Sequence, residues 1–467
     1  MHDVCAVILA AGEGSRMRSR KAKMLHSLLG RPLVHYPVDL CLRLGVKRVL
    51  VVVASQAEAV KRALEGWPVE FVHQGEPPQG TAHALLQTEA ALQGFDGTVL
   101  VLAGDTPLLR DETVRKCVEV QTSTGAVATL LTAEVENPSG YGRILRNRQG
   151  RLHRIVEEVE ATETERGVNE INAGIYCFAG PALFEALKHV TISPLKSKVF
   201  LPDLVEGFVH DGQLIYTVLA ADPTEVLGVK TRADLAQVTT LLRQRVQGRL
   251  MTQGVTLVDP QTTYIDEAVQ IAPDTVIYPG VVLEGATTLG AGCIIYPHCR
   301  IQDSHLDDHV TVLDGSIILE SEIGEGCVIG PYAHLRPQSR VKSKAKVGNF
   351  CEVKKAVIGE GSKVPHLAYI GDTTMGERVN IGAGTITCNY DGFSKHETVI
   401  EDDVFAGSNT NLVAPVKVGK GAIIAAGSTI TDDVPADAVA FGRAPQVNKE
   451  GRAPATRRQQ RRKVHGS

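Results

Sequence analysis

The chain predicts two folds joined by a helix: a mostly parallel α/β sheet over residues 1–230 and a parallel β-helix after about residue 255. Three observations carry this reading. In the first half, short β-branched runs alternate with amphipathic stretches, the pattern of an α/β sheet. In the second half, aliphatic residues recur every six positions, a period no α-helix has. The composition also departs from that of a conventional globular core, with 4% aromatics, one tryptophan (Trp67) and 45 glycines.

Val4–Leu9, Arg48–Val53, Val69–Val72, Thr98–Leu102 and Ala126–Leu131 read as strands. Leu33–Leu44, Ala57–Leu64, Thr81–Leu92 and Asp111–Val120 read as the helices between them. Sheets of this kind bind ligands at the carboxyl ends of their strands. Over Asp234–Met251, Leu235, Val238, Leu242, Val246 and Leu250 recur every three or four residues and predict a joining helix at 231–252. Its other face carries Arg243, Arg245 and Arg249 and reads as solvated.

The β-helix is expected over 253–451. Ile265, Ile271, Ile277, Leu283, Leu289, Ile295 and Ile301 keep a strict spacing of six. The register slips, resumes at Ile323, Ile329, Leu335, Val341, Val347 and Val353, then slips again before Ile400, Ala406, Leu412, Val418, Ile424 and Ile430. Three hexapeptides make one triangular coil, so residues 255–435 amount to about ten coils. Glycine often follows the aliphatic residue, as in Ile323-Gly324, Ile329-Gly330, Ile358-Gly359, Ile370-Gly371, Ile381-Gly382 and Val418-Gly419, and is read as serving the tight corners.

Several classes are excluded. Of the 467 residues 43% are hydrophobic and 22% charged, which is globular rather than disordered composition. The net charge of −4 argues against nucleic acid as a main partner. Nine cysteines with no CxxC pair favour neither a disulfide framework nor a zinc site. The start, Met-His-Asp-Val-Cys, lacks the basic region of a signal peptide. No apolar stretch approaches the ~18 residues of a membrane span. A soluble, cytoplasmic protein is expected. The tail at 452–467 carries Arg452, Arg457, Arg458, Arg461, Arg462 and Lys463 with no acid, and reads as disordered and solvated.

The amino-terminal chemistry starts at Leu9-Ala10-Ala11-Gly12-Glu13-Gly14-Ser15-Arg16-Met17, a glycine-rich loop directly after the first strand. Such a loop lets backbone N–H groups approach phosphates, with Arg16 or Arg18 available to neutralise charge. A structural tight turn competes with that reading. Lys23 follows within reach of the loop, and Leu100–Asp105 ends a strand in a carboxylate placed to take a Mg²⁺ on nucleotide phosphates. A helix cap or turn residue is the competing reading of Asp105.

With Gln74, Gly80-Thr81-Ala82-His83-Ala84, Gly104-Asp105-Thr106-Pro107-Leu108, Gly140-Tyr141-Gly142-Arg143-Ile144, Glu157 and Glu170-Ile171-Asn172-Ala173-Gly174, this loop resembles the signature of sugar-phosphate nucleotidyltransferases. The order of motifs resembles the bacterial bifunctional UDP-N-acetylglucosamine pyrophosphorylases/glucosamine-1-phosphate N-acetyltransferases over about residues 4–451. The resemblance implies a Rossmann-like nucleotidyltransferase domain followed by a left-handed parallel β-helix. It also implies UTP bound by Leu9, Ala10, Ala11, Gly12, Gln74, Gly80, Thr81, Ala103 and Gly104, and sugar bound by Gly142, Glu157 and Asn172. Lys23, Arg16 and Arg18 would neutralise phosphate charge and Asp105 would hold Mg²⁺. The family has proline before its lysine, where this chain has Ala22. The family's second metal ligand is an asparagine, where this chain has Lys230 in Gly228-Val229-Lys230. An ammonium has no acceptor for a metal. Water could replace the ligand, Lys230 could neutralise phosphate directly, or the metal could bind weakly; a weakened but functional metal site is the expectation.

In the second half, polar residues interrupt the repeat at Arg336-Pro337 with Lys354-Lys355, at His366–Asp372 running into Asn380–Thr385, and at Thr387–Gly392 with Lys395. Insertions in solenoids map to binding loops. Acyl transfer to an amine needs a base and oxyanion donors, and His366 is the base by residue type. Lys-Val-Pro-His-Leu-Ala-Tyr-Ile-Gly-Asp followed by Asn-Ile-Gly-Ala-Gly-Thr-Ile-Thr-Cys-Asn-Tyr-Asp-Gly is similar to the acetyltransferase half of the same family. That likeness implies glucosamine 1-phosphate bound by Arg336, Lys354, Tyr369, Asn380 and Lys395. It implies acetyl-CoA held by Ala383, Asn389, Tyr390, Ser408, Ala426 and Arg443, and a homotrimer whose sites draw on neighbouring subunits. Cys388 reads as a bystander. Two other functions compete: an acetyltransferase whose first domain has become a binding or regulatory module, motivated by Lys230 and Ala22, and a pyrophosphorylase whose β-helix only oligomerises. His366 and the Asn389–Gly392 loop weigh against the second of these.

Overall fold

The computed structural model describes residues 3–75, 79–189 and 199–465. Two compact units divide between Val246 and Gln247.

The first unit runs β1 (Val4–Leu9), a short hairpin of β2 (Ser27–Leu28) and β3 (Arg31–Pro32), α1 (His35–Arg43), β4 (Arg48–Val53), α2 (Ala57–Ala63) and β5 (Glu70–His73). It continues through α3 (Thr81–Leu86), β6 (Thr98–Ala103), α4 (Asp111–Thr124), β7 (Ala128–Glu134), β8 (Arg143–Arg146), β9 (Leu152–Val156) and α5 (Glu163–Arg166). Then come β10 (Glu170–Ala179), α6 (Gly180–His189), α7 (Leu201–His210), β11 (Ile215–Leu219) and α8 (Arg232–Thr252). The sheet order is β11-β7-β10-β6-β1-β4-β5. β1 is parallel to β4 and β6, whereas β10 is antiparallel to β6 and β7. Val4, Ala6 and Ile8 of β1 pack into one core and Cys5 and Val7 into another. Burial on both faces is why these strands are continuous apolar runs.

Helix α8 includes the division between the units, so the first unit extends past residue 230, where its end was expected. The helix is not simply a solvated connector. Val238, Leu242, Val246 and Leu250 are buried, and the Arg245 guanidinium donates to Leu108 O, to Asp222 Oδ2 at 3.3 Å and to Thr224 Oγ1 at 3.2 Å.

Among the described residues the second unit forms three parallel sheets of eleven, ten and nine short strands, one sheet per face of a prism. Each strand pairs with its counterpart one coil on: Ile277 with Ile295, Leu283 with Ile301, Leu289 with Leu306. Every aliphatic residue of the six-residue series is buried. The slips in that series have a place. Ile301 is followed by Leu306 and Ile318 by Ile323, five residues on, and both shortened steps turn the corner into the third sheet, where Asp303 and Glu320 adopt φ of 46° and 42°. The shortened corner keeps Leu306 and Ile323 paired and buried.

Apart from Gly330, at φ 98°, the glycines after the aliphatic residue serve proximity rather than the corner. Gly359 has no positive φ, and a Cβ there would lie 1.9 Å from Gly376 O of the next coil. The left-handed corner positions are often filled by side chains, such as His298, His309 and Lys344 at φ of 62°, 58° and 58°. Small residues sit two positions before the aliphatic one. Thr275 Oγ1 donates to Gly290 O at 2.8 Å, and the Cys293 thiol to Asp307 O at 3.2 Å. Cys293, Cys299, Cys327 and Cys351 all occupy this position as buried free thiols, and burial pushes Cys299 and Cys327 up to about 11.

The tail differs from expectation. Arg452–His465 is an α-helix (α9) rather than disordered chain, exposed over Arg452–Val464. No helix of the described residues is long and apolar enough to cross a membrane.

Two glycines separate close approach from conformation. Gly359→Ala drives a Cβ into backbone and should destabilise the β-helix by at least ~2 kcal/mol. Gly326→Asn occupies a left-handed corner at φ 66°, where a Cβ meets only Lys344 Cγ at an ordinary 3.9 Å, and should stay within ~0.5 kcal/mol of the parent. Denaturant midpoints of the β-helix transition measure both.

Candidate active sites

In the first unit the signature loop leaves β1 at Leu9 and passes through a single turn at Ser15–Met17 that buries Met17. Gly14 has φ 64°, and a Cβ there would sit 2.7 Å from Lys23 Cβ. The glycine therefore lets Lys23 rise against the loop. Its ammonium forms an ion pair with Asp105, which follows the carboxyl end of β6. Val229 N–H holds Asp105 O at 2.9 Å.

These groups line a cleft of about 470 Å³ at the carboxyl ends of β1 and β6. Leu9, Ala11, Gly12 and Ala103 form one part of its wall with Lys23 and Asp105. Gln74, Gly80, Thr81, Glu157 and Asn172 form another. Gln74 is buried and donates to Gly80 O at 3.1 Å. Thr81 Oγ1 accepts from Leu201 N–H at 3.1 Å, docking α3 on the start of α7. Asn172 is re-aimed by a register shift in β10 between Asn172 and Tyr176, as bulges beside binding sites do. Its Nδ2 donates to Tyr176 Oη at 2.6 Å.

Five expected residues stand behind the wall or away from it. Ala10 is buried with its N–H on Val52 O, and Gly104 is packed so that a Cβ would meet Met24 Sδ at 3.0 Å. Arg16 and Arg18 are exposed and do not line the cleft. Gly142 backs the sugar side: its O accepts from Asn172 N–H at 2.9 Å, and a Cβ would come 3.2 Å from Glu157 Oε1. Met24, Tyr176 and the Phe200–Pro202 segment also line the cleft. Sequence reasoning missed them because Tyr176 reads as strand core and the helix start carries no polar signal.

For a divalent cation the donor set is lean. Among the described residues no group of three or more His, Cys, Asp or Glu could hold a metal. Asp105 offers one carboxylate, which suits a Mg²⁺ carried in on phosphates and water. Lys230 does not fit as a ligand. Its Nζ donates to Gly140 O at 3.1 Å and lies 3.9 Å from the centroid of the Tyr141 ring.

In the second unit, His366 ends a strand beside Asn349 of the preceding coil, and its Nδ1 is 2.7 Å from Asn349 Oδ1. With the amide oxygen as acceptor, Nδ1 carries the proton and Nε2 is the free base. Sequence reasoning missed Asn349, which lies 17 residues upstream and one coil away. Tyr369 lies over Gly371, where a Cβ would collide with the phenol oxygen at 2.4 Å. Arg336 pairs with Glu352 at 2.8 Å, and Glu352 stacks against Tyr369 in register. The Lys395 and Lys354 ammonium groups meet. Contact with Lys354 and repulsion from it lower the Lys395 pKa. Asn380 pairs with Lys363 and Phe405 on neighbouring coils.

Of the residues expected to hold acetyl-CoA, Ala383, Ser408, Ala426 and Arg443 follow strands of one sheet along one edge of the prism, whereas Asn389 and Tyr390 follow a strand of the next sheet, at the next corner. Asn409 N–H donates to Ala383 O at 2.7 Å, and Gly427 N–H to Ser408 O at 2.8 Å, which sets Ala383, Ser408 and Ala426 on successive coils. The Arg443 side chain crosses Gly427, with Cδ 3.6 Å from that glycine's Cβ position. Asn389 donates to Asp372 Oδ2 and Tyr369 Oη, and Tyr390 bridges to Lys395 across the hairpin that Asp391 ties to Ser394 and His396. The larger concavity of the unit, about 730 Å³, lies on the third face and takes Lys395 alone from the expected set.

The MobA-like NTP transferase domain family matches residues 6–193, and the six-repeat bacterial transferase hexapeptide family matches residues 397–432. Near full-length relatives are named bifunctional protein GlmU. The one from Geobacillus sp. (strain WCH70) is 47% identical over 95% of this chain and 96% of its own. That from Geotalea uraniireducens (strain Rf4) is 46% identical over 97% and 99%, and that from Geobacillus thermodenitrificans (strain NG80-2) 46% over 95% and 96%. A nucleotidyltransferase domain followed by a hexapeptide β-helix, aligned end to end with such relatives, shows that the chain belongs to the bifunctional GlmU family.

Proposed function

We propose that the chain acetylates glucosamine 1-phosphate from acetyl-CoA and then transfers UMP from UTP to N-acetylglucosamine 1-phosphate. The products are UDP-N-acetylglucosamine and pyrophosphate. The observation that carries this reading is that one chain holds two separate constellations, Lys23–Asp105 in a cleft and Asn349–His366 on a β-helix edge, each suited to one transfer.

In the acetyl step, His366 Nε2 takes a proton from the substrate amine as nitrogen attacks the thioester carbon. The C–N bond forms, the C–S bond breaks, and the proton passes to the departing CoA sulfur. Asn349 fixes the ring and its tautomer. Arg336, Lys354 and Lys395 hold the sugar phosphate, with Tyr369 and Asn380 against the sugar. Ala383, Ser408, Ala426 and Arg443 hold acetyl-CoA along the edge, with Asn389 and Tyr390 contributing from the next corner.

In the uridylyl step, a phosphate oxygen of the sugar phosphate attacks the α-phosphorus of UTP and pyrophosphate leaves. Little covalent help is needed, so positioning and charge neutralisation dominate. The signature loop and Gln74, Gly80 and Thr81 bind the nucleotide, Glu157 and Asn172 the sugar, and Lys23 a phosphate. Asp105 would hold a Mg²⁺, which supplies further neutralisation when bound. Arg16 and Arg18, exposed beside the cleft, serve phosphate only from outside its wall.

A homotrimer completes the second site in this reading. Phe405, Ile423 and Val439 form an exposed apolar row on paired strands beside Ser408 and Ala426, a surface suited to a second copy. Light scattering should give three times the chain mass of 50.1 kDa. Nine unpaired thiols suit the reducing cytoplasm.

Product analysis by mass spectrometry tests the assignment. His366→Ala should lose acetyl transfer by about 10²–10⁴-fold and retain uridylyl transfer. Asp105→Ala should do the reverse. Acetyl product without UDP-sugar from the unaltered protein would select the single-activity reading. Asn349→Ala should lower acetyl-transfer kcat about 10–100-fold by freeing the His366 ring, with unchanged KM for acetyl-CoA. Cys388→Ala should keep most acetyl-transfer activity, because direct attack by the amine needs no thioester on the protein; a trapped acetyl-cysteine would refute the direct mechanism.

A further inference from the structure

Lys230 stands where the family places a metal ligand, yet its ammonium turns toward another segment. The Gly140-Tyr141-Gly142 segment meets Gly228–Lys230 at three points. The Gly228 backbone is hydrogen-bonded to the Tyr141 hydroxyl, Lys230 Nζ lies 3.9 Å from the Tyr141 ring centroid, and the same Nζ donates to Gly140 O at 3.1 Å. From below, buried Arg143 bonds Tyr141 O and pairs with Glu158 at 2.6 Å, while Glu158 also accepts from Gly140 N–H at 3.3 Å. Behind the cleft wall this segment ends in Gly142, whose carbonyl holds the Asn172 backbone and whose bare Cα lies against Glu157. On its other side, Val229 N–H holds Asp105 O.

We propose that Lys230 is a positioning residue for the sugar: it clamps Gly140–Gly142 onto the Asp105 segment and so fixes Glu157 and Asn172 for the hexosamine, in place of a role in metal binding. The inference rests on the uridylyl reading of this cleft. A hydrogen bond from a charged donor and a cation–π contact, both half-shielded from water, are the kind of interactions whose loss costs about tenfold in affinity, or ~1.4 kcal/mol. Because the clamp acts through Glu157 and Asn172, its effect falls on the sugar portion of a ligand and spares the nucleotide portion.

The test is calorimetric titration of the full chain and of Lys230→Met with UDP-N-acetylglucosamine and with UTP, both without divalent metal. Methionine keeps the unbranched stem and removes the donor and the charge. UDP-N-acetylglucosamine should bind the variant about tenfold more weakly, with UTP within twofold, and Lys230→Arg should recover most of the loss. In turnover, KM for N-acetylglucosamine 1-phosphate should rise while the Mg²⁺ concentration for half-maximal rate stays put. Unchanged UDP-sugar affinity, equal weakening of UTP, or a shifted Mg²⁺ requirement with normal sugar KM would each overturn the clamp. Retained acetyl transfer and an unchanged melting profile exclude misfolding of the variant. Absence of UDP-sugar formation by the unaltered protein would instead overturn the functional reading on which the clamp rests.

Discussion

The coil-to-coil backbone ladder is the constraint on which the second half of this protein depends. Each short strand gives its N–H and C=O groups to the coils above and below, as Val276 N–H does to Cys293 O at 2.9 Å. Register along that ladder decides everything else. A shift of one residue would turn buried Ile295 or Ile301 outward, at about 2 kcal/mol per side chain. The ladder therefore tolerates a residue of left-handed backbone at a corner, costing ~1–2 kcal/mol, more readily than a slipped strand. It also excludes any Cβ at Gly359, because the next coil is already there.

The same ladder builds the acyl-transfer edge. Residues far apart in sequence but equivalent within the coil fall one above another, so Asn349 reaches His366 and Ser408 stands above Ala383. An imidazole, the amide that contacts it and a run of small residues along one edge follow from stacking alone, without a dedicated scaffold. The excursion that breaks the repeat adds what stacking cannot supply, a hairpin that brings Lys395 against Lys354. Two ammonium groups this close repel, and that repulsion lowers the Lys395 pKa.

In the first unit the logic is that of a parallel sheet with one reversed strand. β1 and β6 deliver the glycine loop and Asp105 to the same end of the sheet, while the antiparallel β10 brings Asn172 to that end by its amino-terminal side. The loop's glycines read as phosphate-binding residues, yet Gly14 has a second task, making room for Lys23. Proximity of Lys23 and Asp105, 82 residues apart, is a property of the closed sheet and of neither motif.

Sequence by itself determined the repeat, the order of chemistry-bearing motifs along the chain and the identity of many cleft residues, because periodicity and local turn chemistry are written in neighbouring residues. His366, Asp105, Lys23 and Gln74 were legible from their motifs; Asn349 and Tyr176 were not, since each matters only through a partner brought near by stacking or by a bulge. Tertiary structure alone decided that Arg16 and Arg18 stand outside the cleft wall and that Arg245 is tied to Leu108 and Asp222 rather than solvated. It alone decided the direction of Lys230. A residue type shows that an ammonium cannot ligate a metal, but only packing shows that it rests on Tyr141 and Gly140, because the direction of a long side chain is set by the groups that surround it.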